Sequence, residues 1–396
     1  MNSKQFKQLI GVFIVICGLG LIFVNRDRSS WQQDGKQIGG KVFADFPLND
    51  VTAITITGSS NSLNLAKLGE GADSKWTVPD RGGYPANFET ISDLLRKTWE
   101  LKVLRPIKVG ASQLGSLQLI EPGKGTNSGT LIAFKGKDDK ALHSLLLGKQ
   151  HSRESAQSSP FGGGPAADGR YLLPDGKAES VALVQEAFSS VATEPASWLQ
   201  RDFFKVEKIK SIAVTTTNSW KISRETEAGE WQLAEAKETE KLDTGKTGSF
   251  NYALSSPSFE DVIVNAKPDD LGLTTPQRIV VETFEGFTYT VDAGKKDGDE
   301  SYFVKLAVEA TIATERAAGA DEKPEDKEKL DKEFKEKADK LKAKLASEQA
   351  LGKWTYKVSN WTLNSVLKDR SELLKQEEPK GAPLTPLLEP PPAAEQ

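Results

Sequence analysis

The chain has 396 residues, 37% of them hydrophobic and 27% charged, enough apolar material for folded domains and too little for a multi-span membrane protein. Its formal net charge of −4 offers no basic excess for nucleic acid. One Cys and two His cannot build a disulfide framework or a His/Cys metal cage, so no cofactor is expected.

Leu9 to Val24 is an uncharged, mostly apolar run flanked by Lys4 and Lys7 on one side and Arg26 and Arg28 on the other. As a helix it spans roughly 24 Å, and the stems of Lys7 and Arg26 cover part of the shortfall against a hydrocarbon layer of about 30 Å. No small-residue cleavage site follows, and Ile16 before Cys17 does not suit a lipoprotein signal. The run is read as an uncleaved anchor within residues 1–28, with Leu9, Val12, Phe13, Ile16, Leu19, Ile22, Phe23 and Val24 facing lipid. The Lys/Arg count alone favours a cytoplasmic body. Residues 29–44 form a linker.

From there the chain repeats itself. Phe46 to Thr57 has a counterpart in Phe204 to Thr215, and both alternate apolar and polar residues as half-buried strands do. Trp76-Thr-Val78 matches Trp231-Gln-Leu233. Asn87 to Val103 reads as an amphipathic helix with Ile91, Leu94, Leu95 and Trp99 on one face, and its counterpart is placed at Phe250 to Val262. Leu117-Gln-Leu119-Ile-Glu-Pro122 matches Leu271-Gly-Leu273-Thr-Thr-Pro276, and Gly148-Lys149 matches Gly294-Lys295. Leu199-Gln-Arg201-Asp202 and Leu367-Lys-Asp369-Arg370 close the two copies. Short polar turns such as Gly58 to Asn61 imply antiparallel hairpins. The expected class is α+β: an N-terminal transmembrane helix, then two tandem sheet-plus-helix copies at 45–203 and 204–378.

The Leu-x-Leu-x-x-Pro element, the closing elements and the short N-terminal anchor resemble the domain-of-unknown-function 4340 family over roughly Asp45 to Lys375. The resemblance implies an anchored, extracytoplasmic bacterial envelope protein encoded beside gliding-type ABC transporter components. It brings no catalytic residues with it. It also places the body outside the cytoplasm, against the Lys/Arg count.

The second copy carries a charged insert at about 310–350. From Asp321 to Glu348, 19 of 28 residues are charged, while Leu330, Phe334, Ala338, Leu341 and Leu345 line one helical stripe. Pro324 suits a helix start. Glu328–Lys332, Asp331–Lys335, Glu333–Lys337 and Glu336–Lys340 are spaced for i,i+4 pairing. Leu330, Phe334, Leu341 and Leu345 are candidate partner-docking residues, and the insert as a whole is expected to be dispensable for folding. Residues 379–396 read as a Pro-rich disordered tail.

Catalytic signatures are weak. Gly245-Lys246-Thr247 lacks the upstream Gly of a phosphate loop, because Glu240 stands there. His143 and His151 have no Gly-x-Ser-x-Gly turn beside them. Trp76 and Trp231, being equivalent, read as core residues. The expected function is a non-enzymatic accessory or scaffold protein at the cytoplasmic membrane, with the lipid bilayer and ABC transporter subunits as partners. The alternative is an extracytoplasmic module that binds a glycan, peptide or lipid; a hydrolase built on convergent carboxylates ranks third.

Overall fold

A computed structural model describes residues 38–69, 71, 74–152, 167–296, 298–317 and 323–375. The chain divides into two compact units, Met1–Arg201 and Asp202–Gln396.

The first unit is a nine-stranded antiparallel sheet in the order β4-β3-β2-β1-β6-β7-β8-β9-β5. Its strands are β1 Ala53–Thr57, β2 Ser62–Leu68, β3 Lys75–Val78, β4 Tyr84–Pro85, β5 Val103–Pro106, β6 Thr130–Lys135, β7 Ala141–Ser152, β8 Ala167–Pro174 and β9 Ala182–Val184. Alternation in β1 decides its register. Ile54 lies between Leu65 and Phe134, and Ile56 between Leu63 and Ile132, so two apolar rows cross three strands. The run Leu145-Leu-Leu147 does not alternate because β7 is covered on both faces. Leu146 joins Leu119, Leu173 and Val181 in a second cluster, against which Leu114 and Leu117 pack.

The second unit is an eight-stranded antiparallel sheet in the order β12-β11-β10-β14-β15-β16-β17-β13. Its strands are β10 Ile209–Thr215, β11 Trp220–Ser223, β12 Gln232–Leu233, β13 Asp261–Ile263, β14 Gln277–Thr283, β15 Phe287–Gly294, β16 Ser301–Ala310 and β17 Thr355–Ser359. Apart from β4, the two orders correspond strand for strand. In both sheets the outermost strand on one side is the one that follows the helical segment, not a sequential neighbour.

The expected α+β class is corrected: the structure is two large antiparallel sheets with few helices. Among the described residues the α-helices are α1 Phe88–Glu100, α2 Thr244–Thr247, α3 Pro324–Leu351 and α4 Asn360–Asn364. Helix α1 is capped by Asn87, whose side chain accepts from the Thr90 N–H at 3.1 Å. Thr98, not Trp99, completes its buried face; Trp99 is 43% exposed. The predicted counterpart at Phe250 to Val262 is not a helix. A 3-10 turn at Gly248–Tyr252 and strand β13 occupy it, because Ser255-Ser-Pro257-Ser breaks any helix there. The predicted transmembrane helix, with Leu9, Val12, Phe13, Ile16, Leu19, Ile22, Phe23 and Val24, lies outside the described residues. Among the described residues no helix is long and apolar enough to cross a membrane.

The true counterpart of α1 is α2. Asp243 caps it by accepting from Gly245 at 3.0 Å, as Asn87 caps α1. The Asn87 N–H donates to Trp198 O at 2.7 Å, and the Asp243 N–H to Leu373 O at 2.9 Å. Single bridges join Ala86 to Leu199 and Leu242 to Leu374. The closing element that answers Leu199 is therefore at Leu374, seven residues beyond the Leu367 given by sequence matching.

The Leu-x-Leu element has a physical basis in both units. A Cβ on Gly148 would strike the Leu117 carbonyl oxygen, and a Cβ on Gly294 would strike that of Leu271. A backbone carbonyl rests directly on a strand where only hydrogen leaves room. Gly148→Ala and Gly294→Ala should each cost about 1–3 kcal/mol. Chemical denaturation of each single variant should show one destabilised transition; an unchanged midpoint in both would remove this account of the motif.

Candidate functional site

Helix α3 leaves the sheet after β16 and returns to it at β17. Its 28 residues extend roughly 42 Å at about 1.5 Å per residue. Residues 326–333 are all exposed, with Leu330 at 36%. From Phe334 onward one stripe turns inward: Phe334, Leu341 and Leu345 are half-buried and Ala338 is buried. Three of the four predicted docking residues are half-buried, and Leu330 is the most exposed of the four at 36%. Two charges predicted to pair within the helix reach off it instead. Asp331 takes Arg316 at 2.8 Å, and Lys337 approaches Glu285 at 3.5 Å. Beside them, residues 313–316 and the helix enclose a cleft of about 570 Å³.

The docking centre is Glu348, which sequence reading missed. Only 5% exposed, it sits in the last turns of a helix whose acids from Asp326 to Asp339 are exposed. One carboxylate oxygen accepts from the Lys205 N–H at 2.9 Å and from Lys344 Nζ at 2.6 Å. The other accepts from the Tyr289 hydroxyl at 2.8 Å. Lys344 also donates to Lys205 O at 2.7 Å and lies 5.7 Å from the Phe287 ring centroid. Burial first, then the adjacent Glu348 charge, pushes the Tyr289 phenol well above its ordinary range. The cluster ties the helix to β15 and to the chain entering β10. The C-terminal half of the insert is therefore part of the fold, which corrects the expectation that all of it is dispensable. The one legible sign was the i,i+4 step from Lys344 to Glu348, continuing the stripe of Leu341 and Leu345.

Other charged groups are bound into the scaffold. Arg224, 8% exposed, donates to Ile209 O at 2.8 Å and to Asn251 Oδ1 at 2.9 Å, with Trp231 4.7 Å from its guanidinium. Trp231 Nε1 shares the Asn251 oxygen at 3.1 Å, so this indole is a core group, like the buried Trp76. In the first unit Arg170 donates to Gly148 O at 2.8 Å. Burial pulls both guanidinium groups below their usual range.

Each histidine meets one aspartate. His143 Nδ1 lies 3.2 Å from Asp175 Oδ2, its Nε2 lies 3.2 Å from Asp45 O, and Phe43 stands 4.5 Å from its ring. Both of its nitrogens thus face acceptors rather than a hydroxyl. His151 Nδ1 lies 2.6 Å from Asp168. Lys246, of the Gly-Lys-Thr sequence, reaches Leu374 O at 3.3 Å, which ties α2 to the closing segment. Among the described residues no group of three or more His, Cys, Asp or Glu could hold a metal ion.

The closing segment is held by Arg370 and Glu240, paired at 2.7 Å and 3.3 Å in a two-point contact. Hydrogen bonding from Arg370 first, then from the Lys237 backbone, lowers the Glu240 carboxyl to about 2.

The chain belongs to a family defined as a domain of unknown function, DUF4340, whose model matches residues 76–276, just over half of its length. The match runs from Trp76 on β3 to Pro276 before β14, so it covers parts of both units. No curated protein matches the chain, and no solved structure matches it.

Two outcomes follow from these contacts. Glu348→Ala leaves the Tyr289 hydroxyl and the Lys205 amide without their acceptor and should cost about 2–3 kcal/mol. That lowers the melting temperature of the second unit by roughly 4–10 °C, whereas Leu330→Ala should leave it within a degree or two. The Glu240 carboxyl is depressed in the folded state, so its contribution is complete above its ordinary value of 4.5 and is lost as pH falls toward about 2. Wild type and Glu240→Gln should therefore differ in melting temperature at pH 6 and converge between about pH 4 and pH 2; a constant difference across that window would rule the pair out as an acid-sensitive contact.

Proposed function

We propose that this DUF4340 protein is an accessory or scaffold protein of the cell envelope, held at the cytoplasmic membrane with its body outside the cytoplasm. The observation that carries the reading is α3: its second half is latched to the sheet at Glu348, while residues 326–333 are exposed, with Asp331 paired to Arg316. A charged helix latched at one end and exposed at the other suits docking to a protein partner better than closing over a substrate. The apolar run Leu9 to Val24 supports membrane attachment, and the family resemblance supports the outward orientation and ABC transporter subunits as the partner. The second reading, an extracytoplasmic binding module, is favoured by a separate cleft of about 780 Å³ in the second unit, lined by Glu260, Asp299, Glu300, Phe303 and Trp361.

The test is site-specific photocrosslinking in intact cells. A photoreactive residue at Leu330 should yield one discrete higher-mass adduct, while the same probe at buried Ala338 should yield none. Absence of an adduct from position 330, with the protein folded and at normal abundance, would remove the scaffold reading.

A further inference from the structure

We infer that the β5 flank of the first unit, with residues 38–41 laid along it, is a docking surface for an anionic lipid bilayer. This deepens the membrane attachment proposed above, on which it rests, by naming the face that meets the bilayer.

Residues 39–42 run along the outside of β5. The Gly39 N–H donates to Val103 O at 2.8 Å, the Val103 N–H to Gly40 O at 2.9 Å, and the Val42 N–H to Leu101 O at 2.8 Å. The bridge between the two stretches sets Lys41 directly opposite Lys102, and both are exposed. Like charges at such a position repel and cost stability unless an anion lies between them. Among the described residues neither lysine has a carboxylate partner; Lys41 holds its ammonium 4.1 Å from the centroid of Trp99. The acids nearby are already taken by cations of α1. Arg96 pairs with Asp93 at 2.6 Å and with Glu100 at 3.3 Å, and Lys97 with Asp93 at 2.9 Å and with Glu186 at 3.7 Å. Arg105, exposed on the same strand, adds a third positive charge.

Apolar side chains stand beside these charges. Ile38 is 73% exposed, Leu104 49% and Trp99 43%. Ile38, Lys102 and Leu104 line one cleft of about 660 Å³ at this edge. An indole and aliphatic groups interleaved with lysine and arginine match the boundary between lipid headgroups and acyl chains, where aromatic rings settle and cations meet phosphate. The position in the chain decides the occupant. Fourteen residues separate Val24, the end of the apolar run, from Ile38, and even fully extended they reach at most about 50 Å. A bilayer holding that run therefore stays within reach of this edge. In the second unit the equivalent flank strand, β13, carries Asp261 and is preceded by Glu260. Of the two flanks, the positive one is the one that follows the anchor in sequence.

The test uses the full-length protein with Cys17→Ser, reconstituted in vesicles, and a fluorophore attached at Gln185→Cys or, for reference, at Ser60→Cys. Gln185 is exposed and lines the same cleft. Ser60 is exposed on the β1–β2 turn, and β1 lies five strand spacings, roughly 24 Å along the sheet, from β5. Lipid carrying a nitroxide at its headgroup quenches a dye that touches the surface. The dye at position 185 should be quenched in vesicles rich in phosphatidylglycerol and several-fold less in phosphatidylcholine alone; the dye at position 60 should be quenched in neither. The double variant Lys41→Gln, Lys102→Gln should lower the ratio of docked to undocked protein about ten- to thirty-fold at low salt and less at high salt. Its melting temperature should stay within a degree or two, because both side chains lie outside the core. Quenching at position 185 that is absent, equal in the two lipids, matched at position 60, or indifferent to the double lysine variant would each overturn the proposal. Flotation with the vesicles reads the anchor separately. Protein that floats without quenching at position 185 fails this surface alone, whereas protein that does not float fails the membrane attachment as well.

Discussion

An antiparallel sheet eight or nine strands wide has two flanks of backbone N–H and C=O groups that no strand of its own can satisfy. Much of this protein is arranged around that requirement. The chain does not lay its strands down in sequence; it carries β5 and β13 to the far flank, past β9 and β17. The helical segments before them exist to make that crossing, and their caps, Asn87 and Asp243, are where the closing segments return and bond. The position of each closing segment, and through it Trp198 in one unit and Leu373 in the other, follows from how the flank strand is delivered.

Legibility from sequence follows the same division. Strands β1, β6, β10, β14 and β15 alternate because one face of each is buried, so their places and their duplication could be read directly. The Leu-x-Leu element and its distant Gly could be matched as letters, but the reason, a carbonyl seated on a strand, needs three dimensions. The crossing segments could not be aligned. Helix α1 has thirteen residues and α2 has four, and a helix shortened that far keeps no periodicity to match. A Leu-rich closing stretch then gave a match seven residues out of place. The α+β expectation counted helices in each copy, and one of them, at Phe250 to Val262, falls where Pro257 forbids a helix.

The charged insert shows how composition misleads about burial. A helix with so many ionised residues reads as solvated throughout. One acid in it, Glu348, is withdrawn from water because three donors converge there, one of them a backbone amide 143 residues away in sequence. No window of local sequence contains that information. Trp361 is the opposite case, an indole left in solvent beside three carboxylates, and composition gives no warning of it either.

The insert also sets the order in which the second sheet is assembled. In the first unit the chain passes from Pro174 at the end of β8 to Ala182 at the start of β9 in eight residues; in the second it passes from Ala310 to Thr355, forty-five residues on. Closing the longer loop costs about 1.5 kcal/mol more in chain entropy. It must precede the pairing of β13 with β17. Seated at Glu348, α3 brings the chain back within reach of the sheet, so the helix carries part of the closure that β17 and β13 require. During synthesis from the N-terminus, β13 has no partner strand until the chain beyond the insert, which carries β17, has emerged.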